Sequence, residues 1–128
     1  MDYVKDLGFN TIWISPVFCS EFEDGGYDIT DYYKIDPRFG TNSDLVRLVE
    51  DAHSKGIKVC LDLVAGHTSD KHPWFVESAG GDRNGHYADY YLWTDADKNA
   101  VRKSEKKKWV AKEYPRGKMY MKNYYDVQ

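Results

Sequence analysis

The chain has 128 residues and a net charge of −3, and only its aromatic content, 16 % with eleven Tyr and four Trp, is unusual. That charge gives no general reason to expect a nucleic-acid or membrane partner. No apolar run approaches the roughly 18 residues of a membrane span, and the N-terminal MDYVKDLGF lacks the basic-then-apolar layout of a secretory signal. The compartment is therefore left open. The length suits one modest domain with a real core.

Met1 to Leu7 reads as the last turns of a helix, with Tyr3, Val4 and Leu7 on one side and Gly8 placed to end it. Thr11 to Phe18, TIWISPVF, is β-branched and aromatic, a strand that finishes near Pro16. Thr41 to Lys55 carries Leu45, Leu48, Val49 and Ala52 at helical spacing. Thr41 is its N-cap, with Asp44 three residues on, and Gly56 ends it. Ile57 to Ala65, IKVCLDLVA, is a second strand, almost unbroken in its apolar residues, as a parallel strand covered on both faces would be. Cys19 and Cys60 fall in separate strand-like segments and read as two buried free thiols rather than a disulfide.

Helix, strand, helix, strand is the α/β pattern. Two parallel strands do not make a stable sheet alone, because each needs neighbours and its edges need cover. More βα units are expected in this fold than the chain contains, so it reads as a piece of a larger domain. From Gly66 onward the periodicity fades and the sequence turns polar, lysine-rich and aromatic.

Two connections stand out. The link from Cys19 to Gly40 greatly exceeds the usual length of about two to six residues, and another long segment follows the second strand and lasts to Gln128. Both leave the C-terminal ends of strands, where parallel α/β folds bind ligands. Gly66 and His67 emerge at that face, where His67 is either a nitrogen donor to a ligand or a ring satisfied by a loop carbonyl. Asp62, inside the strand, needs hydrogen-bond partners and is expected to tie strand to loop. In Asp24-Gly25-Gly26-Tyr27-Asp28 the glycines permit close approach, and a ring beside carboxylates suits a sugar. The alternative is a turn whose tyrosine packs on the rim. Tyr32, Tyr33, Phe39, Trp74, Phe75, Tyr90, Tyr91 and Trp93 enrich the same loops, many of them as packing.

Other chemistries fit less well. His67 and His72 lack zinc-site spacing, and there is no phosphate loop and no G-x-S-x-G. Asp95 to Lys122 holds ten Lys or Arg against four Asp or Glu, which reads as a solvated face before it reads as a nucleic-acid patch.

The stretches LGFNTIWISPVF, DGGYDITDYYKIDPRFGT, AHSKGIKVCLDLVAGHTSDKHPWF and YADYYLW together resemble the catalytic domain of the α-amylase superfamily of glycoside hydrolases, in its oligo-α-glucosidase-like branch. KMYMKNYYDVQ is similar to the family segment just before the fourth barrel strand. The resemblance covers essentially the whole chain. It implies an α/β fold, a partial (β/α)8 barrel over residues 1–68 with about the second and third strands and the helix between them. Residues 69–128 would begin the inserted, loop-rich domain B that follows the third strand. A whole barrel takes roughly 250 residues.

By the same resemblance, Asp24 matches a carboxylate that holds hydroxyls of the terminal glucose, and Tyr27 a tyrosine that stacks on the sugar. His67 matches a histidine that hydrogen-bonds a glucose hydroxyl, and Asp62 a framework aspartate near the site. The family cleaves α-glucosidic bonds with retention, using an aspartate nucleophile and a glutamate acid/base. Neither matches a residue of this chain. Both are expected after Gln128, so no catalytic residue is assigned and the 128 residues alone are expected to be inactive. The implied substrates are malto- and isomalto-oligosaccharides. Non-catalytic relatives, such as amylase-like subunits of amino-acid transporters, share the same motifs, but the presence of Asp24, Tyr27 and His67 favours a working sugar site. Family amylases bind a structural calcium through an Asn that is Gly66 here, so no metal or other cofactor is expected.

Overall fold

The computed structural model describes residues 1–93 and 109–122. In chain order it contains α1 (Asp2–Asp6), β1 (Thr11–Ile14), β2 (Phe18–Ser20), β3 (Ile29–Ile35), α2 (Asn42–Ser54), β4 (Lys58–Leu61), α3 (Pro73–Ala79), β5 (Trp109–Tyr114) and β6 (Gly117–Lys122). The described strands pair as three two-stranded sheets, β1 with β4, β2 with β3 and β5 with β6.

The α/β arrangement is as expected. β1 and β4 run parallel, with Thr11 opposite Lys58 and Ile14 opposite Leu61, and α2 makes the crossover between them. Its start is a complete capping box: the Asp44 N–H donates to the Thr41 hydroxyl at 3.3 Å and the Thr41 N–H to the Asp44 carboxylate at 2.8 Å. Gly40 sits at φ +120°, a backbone conformation that favours glycine, and a Cβ there would also press on that carboxylate at 2.8 Å. Asn42 joins the helix to the hairpin. Its side chain accepts from the Ile35 N–H and donates to the Tyr33 carbonyl, both at 2.8 Å.

Several boundaries differ from the sequence expectation. Thr11–Phe18 is not one strand. The chain leaves the ladder after Ile14, and Phe18–Ser20 forms β2, antiparallel to β3. Pro16, lacking an N–H, sits in the break. The long link from Cys19 to Gly40 is therefore not a bare loop but an irregular hairpin, with register shifts on both sides of Cys19. The strand expected over Ile57–Ala65 ends at Leu61, and Asp62 follows it with its N–H still donating to the Ile14 carbonyl at 3.1 Å. The segment after Gly66 holds the short helix α3, with Pro73 at its first turn, and the β5–β6 hairpin.

Two of the sequence expectations reach past the described residues. Half of the lysine-rich stretch, residues 95–108, lies outside them. So does the end of KMYMKNYYDVQ, residues 123–128, with Gln128, the position after which the nucleophile and the acid/base are expected.

The core is small. Ile29, Ile35, Ala52, Ile57 and Val64 are buried around the β2–β3 hairpin and α2, and Phe75, Ala79 and Ala88 are buried with α3. Fully burying Ile29 or Ile57 contributes about 1.5–3 kcal/mol each. The β1–β4 pair is covered on one face only, contrary to the reading from its apolar run. Ile12, Ile14, Val59 and Leu61 are half-buried, while Trp13, 59 % exposed, and Cys60 stand on the open face. Both cysteines are free, as expected, yet neither is buried: Cys19 is half-buried and Cys60 exposed.

Asp36 fixes the end of the hairpin. Its buried carboxylate accepts from the Ser20 N–H at 3.2 Å, the Arg38 N–H at 3.0 Å and Arg38 Nη1 at 2.9 Å. Burial alone would raise its pKa, but the two backbone donors and the Arg38 charge outweigh it and hold the group below the usual carboxylate range.

Open parallel edges and a one-sided sheet leave little to offset chain entropy. The isolated chain is expected to melt broadly and to bind the dye ANS. A single cooperative transition with equal calorimetric and van't Hoff enthalpies would contradict this.

Candidate functional site

The site begins with a buried acid. Asp28 has no exposed surface, and its carboxylate accepts from the Ser20 hydroxyl at 2.7 Å and from the Glu23 and Asp24 N–H groups, each at 3.1 Å. These bonds curl residues 23–26 into a turn closed by the Tyr27 N–H donating to the Asp24 carbonyl at 3.0 Å. Gly26, at φ +100°, lies against the Pro16 carbonyl, which a Cβ would meet at 3.0 Å. Under the turn, the Arg38 guanidinium sits 4.7 Å from the centre of the Phe22 ring.

Parallel pairing brings the ends of β1 and β4 side by side, so this turn meets the segment after β4. His67 Nε2 lies 3.0 Å from the Tyr27 carbonyl. A carbonyl only accepts, so Nε2 carries a proton. The Tyr27 hydroxyl donates to the Asp62 carboxylate at 3.3 Å. Asp24, Tyr27, Asp62 and His67, separated in sequence, therefore form one cluster. Burial raises the Asp24 pKa above the usual carboxylate value, with Asp28 adding to the effect and His67 opposing it. The Tyr27 hydroxyl is shifted upward too, by desolvation and by the Asp62 charge.

Beyond His67 lies an aromatic floor. The Tyr32 hydroxyl is 2.7 Å from the Val64 carbonyl and 2.9 Å from that of His67. The Tyr32 ring stacks on Trp74, centroids 5.9 Å apart, and lies 5.6 Å from the His72 ring. Thr68 Oγ1 and the Tyr91 hydroxyl are 2.6 Å apart. Phe75 meets Tyr91, Trp93 and Tyr114 at 5.1–5.8 Å, so these loop aromatics pack together as the sequence suggests. A cavity of about 480 Å³ opens on this floor, with His67, Tyr32 and Trp74 among its lining residues.

Sequence reasoning misses the parts played by two residues. Asp28 shows there only as the end of the Asp-Gly-Gly-Tyr-Asp run, and no local pattern marks it as the buried anchor of the turn. Tyr32 falls among the packing aromatics, and no local pattern distinguishes it from Tyr33, which is exposed. Among the described residues there is no group of three or more His, Cys, Asp or Glu side chains that could hold a metal ion.

Residues 1–126 match the family model described as "Alpha amylase, catalytic domain". The chain belongs to the alpha-amylase catalytic-domain family. Its relatives include the oligo-1,6-glucosidase of Heyndrickxia coagulans, 56 % identical over 95 residues, which are 74 % of this chain and 17 % of that protein. The trehalose synthase/amylase TreS of Mycobacterium tuberculosis is 52 % identical over 95 residues, 74 % of this chain and 16 % of its own length. Among solved structures, the trehalose-6-phosphate hydrolase (TreA) of Bacillus licheniformis superposes with a TM-score of 0.82 at 39 % identity, over 99 % of this chain and 24 % of that one. This alpha-amylase family chain thus spans about a sixth to a quarter of the length of the proteins it matches. Membership gives its parallel pair a place in a (β/α)8 barrel.

One pH dependence follows from the floor. His72 is buried and caps α3, its Nδ1 accepting from the Trp74 N–H at 3.1 Å, so the ring is neutral. Burial lowers its pKa below the ordinary 6.5, with Asp31 acting the other way. The unfolded state therefore takes up a proton before the folded state does. Stability from this group is complete above pH 6.5 and is lost as pH falls from there through the lower folded value. A chimera carrying this chain in place of its counterpart in the H. coagulans enzyme should show this loss in its melting temperature between about pH 7.5 and about pH 5. In His72→Asn, which keeps a cap, the loss should shrink; equal losses in both proteins would refute the assignment.

Proposed function

We propose that this chain is the sugar-cradling part of a retaining α-glycoside hydrolase that cleaves α-glucosidic bonds of malto- and isomalto-oligosaccharides. In that reading β1 is about the second barrel strand, α2 the second helix and β4 the third strand. Residues 1–68 belong to the barrel, and residues 69–128 begin the inserted domain B.

The observation that carries the reading is the convergence of Asp24, Tyr27, Asp62 and His67 at the C-terminal ends of two parallel strands. The Asp24 carboxylate accepts from hydroxyls of the terminal glucose. The Tyr27 ring, held by its bond to Asp62, offers a face for the sugar's C–H groups. His67 meets a sugar hydroxyl through Nδ1, or through Nε2 in competition with the Tyr27 carbonyl. Both readings of this histidine are thus compatible, since a ring steadied by a loop carbonyl is also oriented for a ligand. Hydrogen bonds of this kind accelerate the reaction to the extent that they strengthen as the ring flattens toward an oxocarbenium-like transition state. The nucleophile and the acid/base, about 5–5.5 Å apart in retaining enzymes, are supplied by residues of the whole enzyme beyond Gln128.

Calcium is left out of this reading because Gly66 offers no side-chain oxygen where the family resemblance has an Asn. The proposal therefore includes no metal or other cofactor, and the partner is the oligosaccharide alone.

The chimera should hydrolyse p-nitrophenyl α-glucoside. Asp24→Asn and His67→Ala should each lower kcat/KM by about 10²–10³-fold, with little change in melting temperature. A chimera that folds but does not turn over would point to a binding relative without catalysis. The 128-residue chain alone should show no turnover; activity of the purified piece that disappears in Asp24→Ala would overturn the division of labour.

A further inference from the structure

The Tyr32 hydroxyl faces two carbonyls of the same short turn, Val64 at 2.7 Å and His67 at 2.9 Å. One O–H shared between them closes the Val64–His67 segment as a loop of fixed width. That segment needs such a clasp. Its strand hydrogen bonding has ended before Val64, and Gly66 stands in open space with nothing near its Cβ position. On the other side of the ring, His67 Nε2 reaches the Tyr27 carbonyl. The imidazole is thus held from its side chain by one loop and from its backbone by Tyr32.

Tyr32 is itself well seated. It belongs to β3, is flanked by Trp74 and by the buried His72, and lies 6.4 Å from Phe18 of the partner strand. Burial raises the pKa of its hydroxyl, with Tyr91 adding to the effect, so the group stays a donor across the working pH range.

We propose that Tyr32 is a positioning residue that sets the orientation of the His67 imidazole by clasping the Val64 and His67 carbonyls. The role rests on the reading of His67 as a sugar-binding residue and deepens it. The Tyr32 hydroxyl is taken up by the two carbonyls rather than offered to a ligand. It acts by narrowing the range of ring orientations, which is worth most where a bond strengthens only in the transition state.

The test uses the chimera. Tyr32→Phe should lower kcat about tenfold with KM little changed, the size expected for one lost hydrogen bond. In a His67→Ala background the same change should have less than about a twofold effect, because nothing is left to position. Equal effects in both backgrounds would overturn the proposal and leave Tyr32 a packing residue. The second variant, 3,5-difluorotyrosine at position 32, keeps the ring and hydroxyl but is a stronger acid than tyrosine, although burial raises its pKa here as well. Its activity should fall over the pH range in which its phenolate absorbance appears, and activity unchanged while the phenolate forms would also overturn the role. Ring ¹⁵N spectra of the histidine-labelled chimera separate this inference from the functional reading. They should show His67 protonated at Nε2 in the parent and a tautomer mixture in Tyr32→Phe. Unchanged kinetics in His67→Ala would sink the sugar reading and with it the kinetic role of Tyr32, while an unchanged His67 spectrum in Tyr32→Phe would sink the clasp alone.

Discussion

A carboxylate with no exposed surface has to be met by donors, and the way Asp28 is met shapes the rest of the site. Leaving it unpaired would cost several kcal/mol. The Ser20 hydroxyl and the Glu23 and Asp24 N–H groups converge on it instead. That demand curls residues 23–26 back on β2, sets Asp24 at the rim and presents the Tyr27 carbonyl to His67. No lysine or arginine is bonded to Asp28 among these contacts, so its order comes from oriented dipoles rather than from an ion pair. Geometry of that kind is more restrictive than a flexible salt bridge.

The second constraint is the parallel pairing of β1 and β4. An antiparallel pair would send the segments after the two strands to opposite ends of the sheet. Parallel pairing puts both at one end, so a turn near residue 25 and a histidine at 67 become neighbours. The same pairing explains the open face. Trp13 and Cys60 point away from the helices, where a closed barrel places its packed interior, and exposed apolar surface of this sort calls for further strands.

Much of this is legible in the chain itself. The helix from Thr41, its cap and its glycine stop follow from local rules that act over a few residues. Asp24, Tyr27, Asp62 and His67 stand out by their place after strands and by a family likeness, and the structure draws them together. What escapes the sequence depends on pairing across long separations. The break at Pro16 turns one expected strand into two because Phe18–Ser20 finds a partner in β3, and nothing in TIWISPVF announces that partner. Cys60 sits in an apolar run, yet whether such a run is covered depends on elements elsewhere. Tyr32 and Tyr33 are adjacent and identical. Only the pleat of β3, which sends neighbours to opposite faces, decides that the first clasps the loop and the second meets water.

The two hydrogen bonds of the Asn42 side chain bear on the order in which the chain assembles. They join the first turn of α2 to β3 over a short separation in sequence, so the hairpin and the helix can condense early, as a local unit with little loop-closure entropy to overcome. The β1–β4 ladder closes a longer loop, since its partners are separated by the entire hairpin and helix. The sugar-facing cluster would thus be among the last features of this region to organise, and its completion would report that the long-range pairing has succeeded.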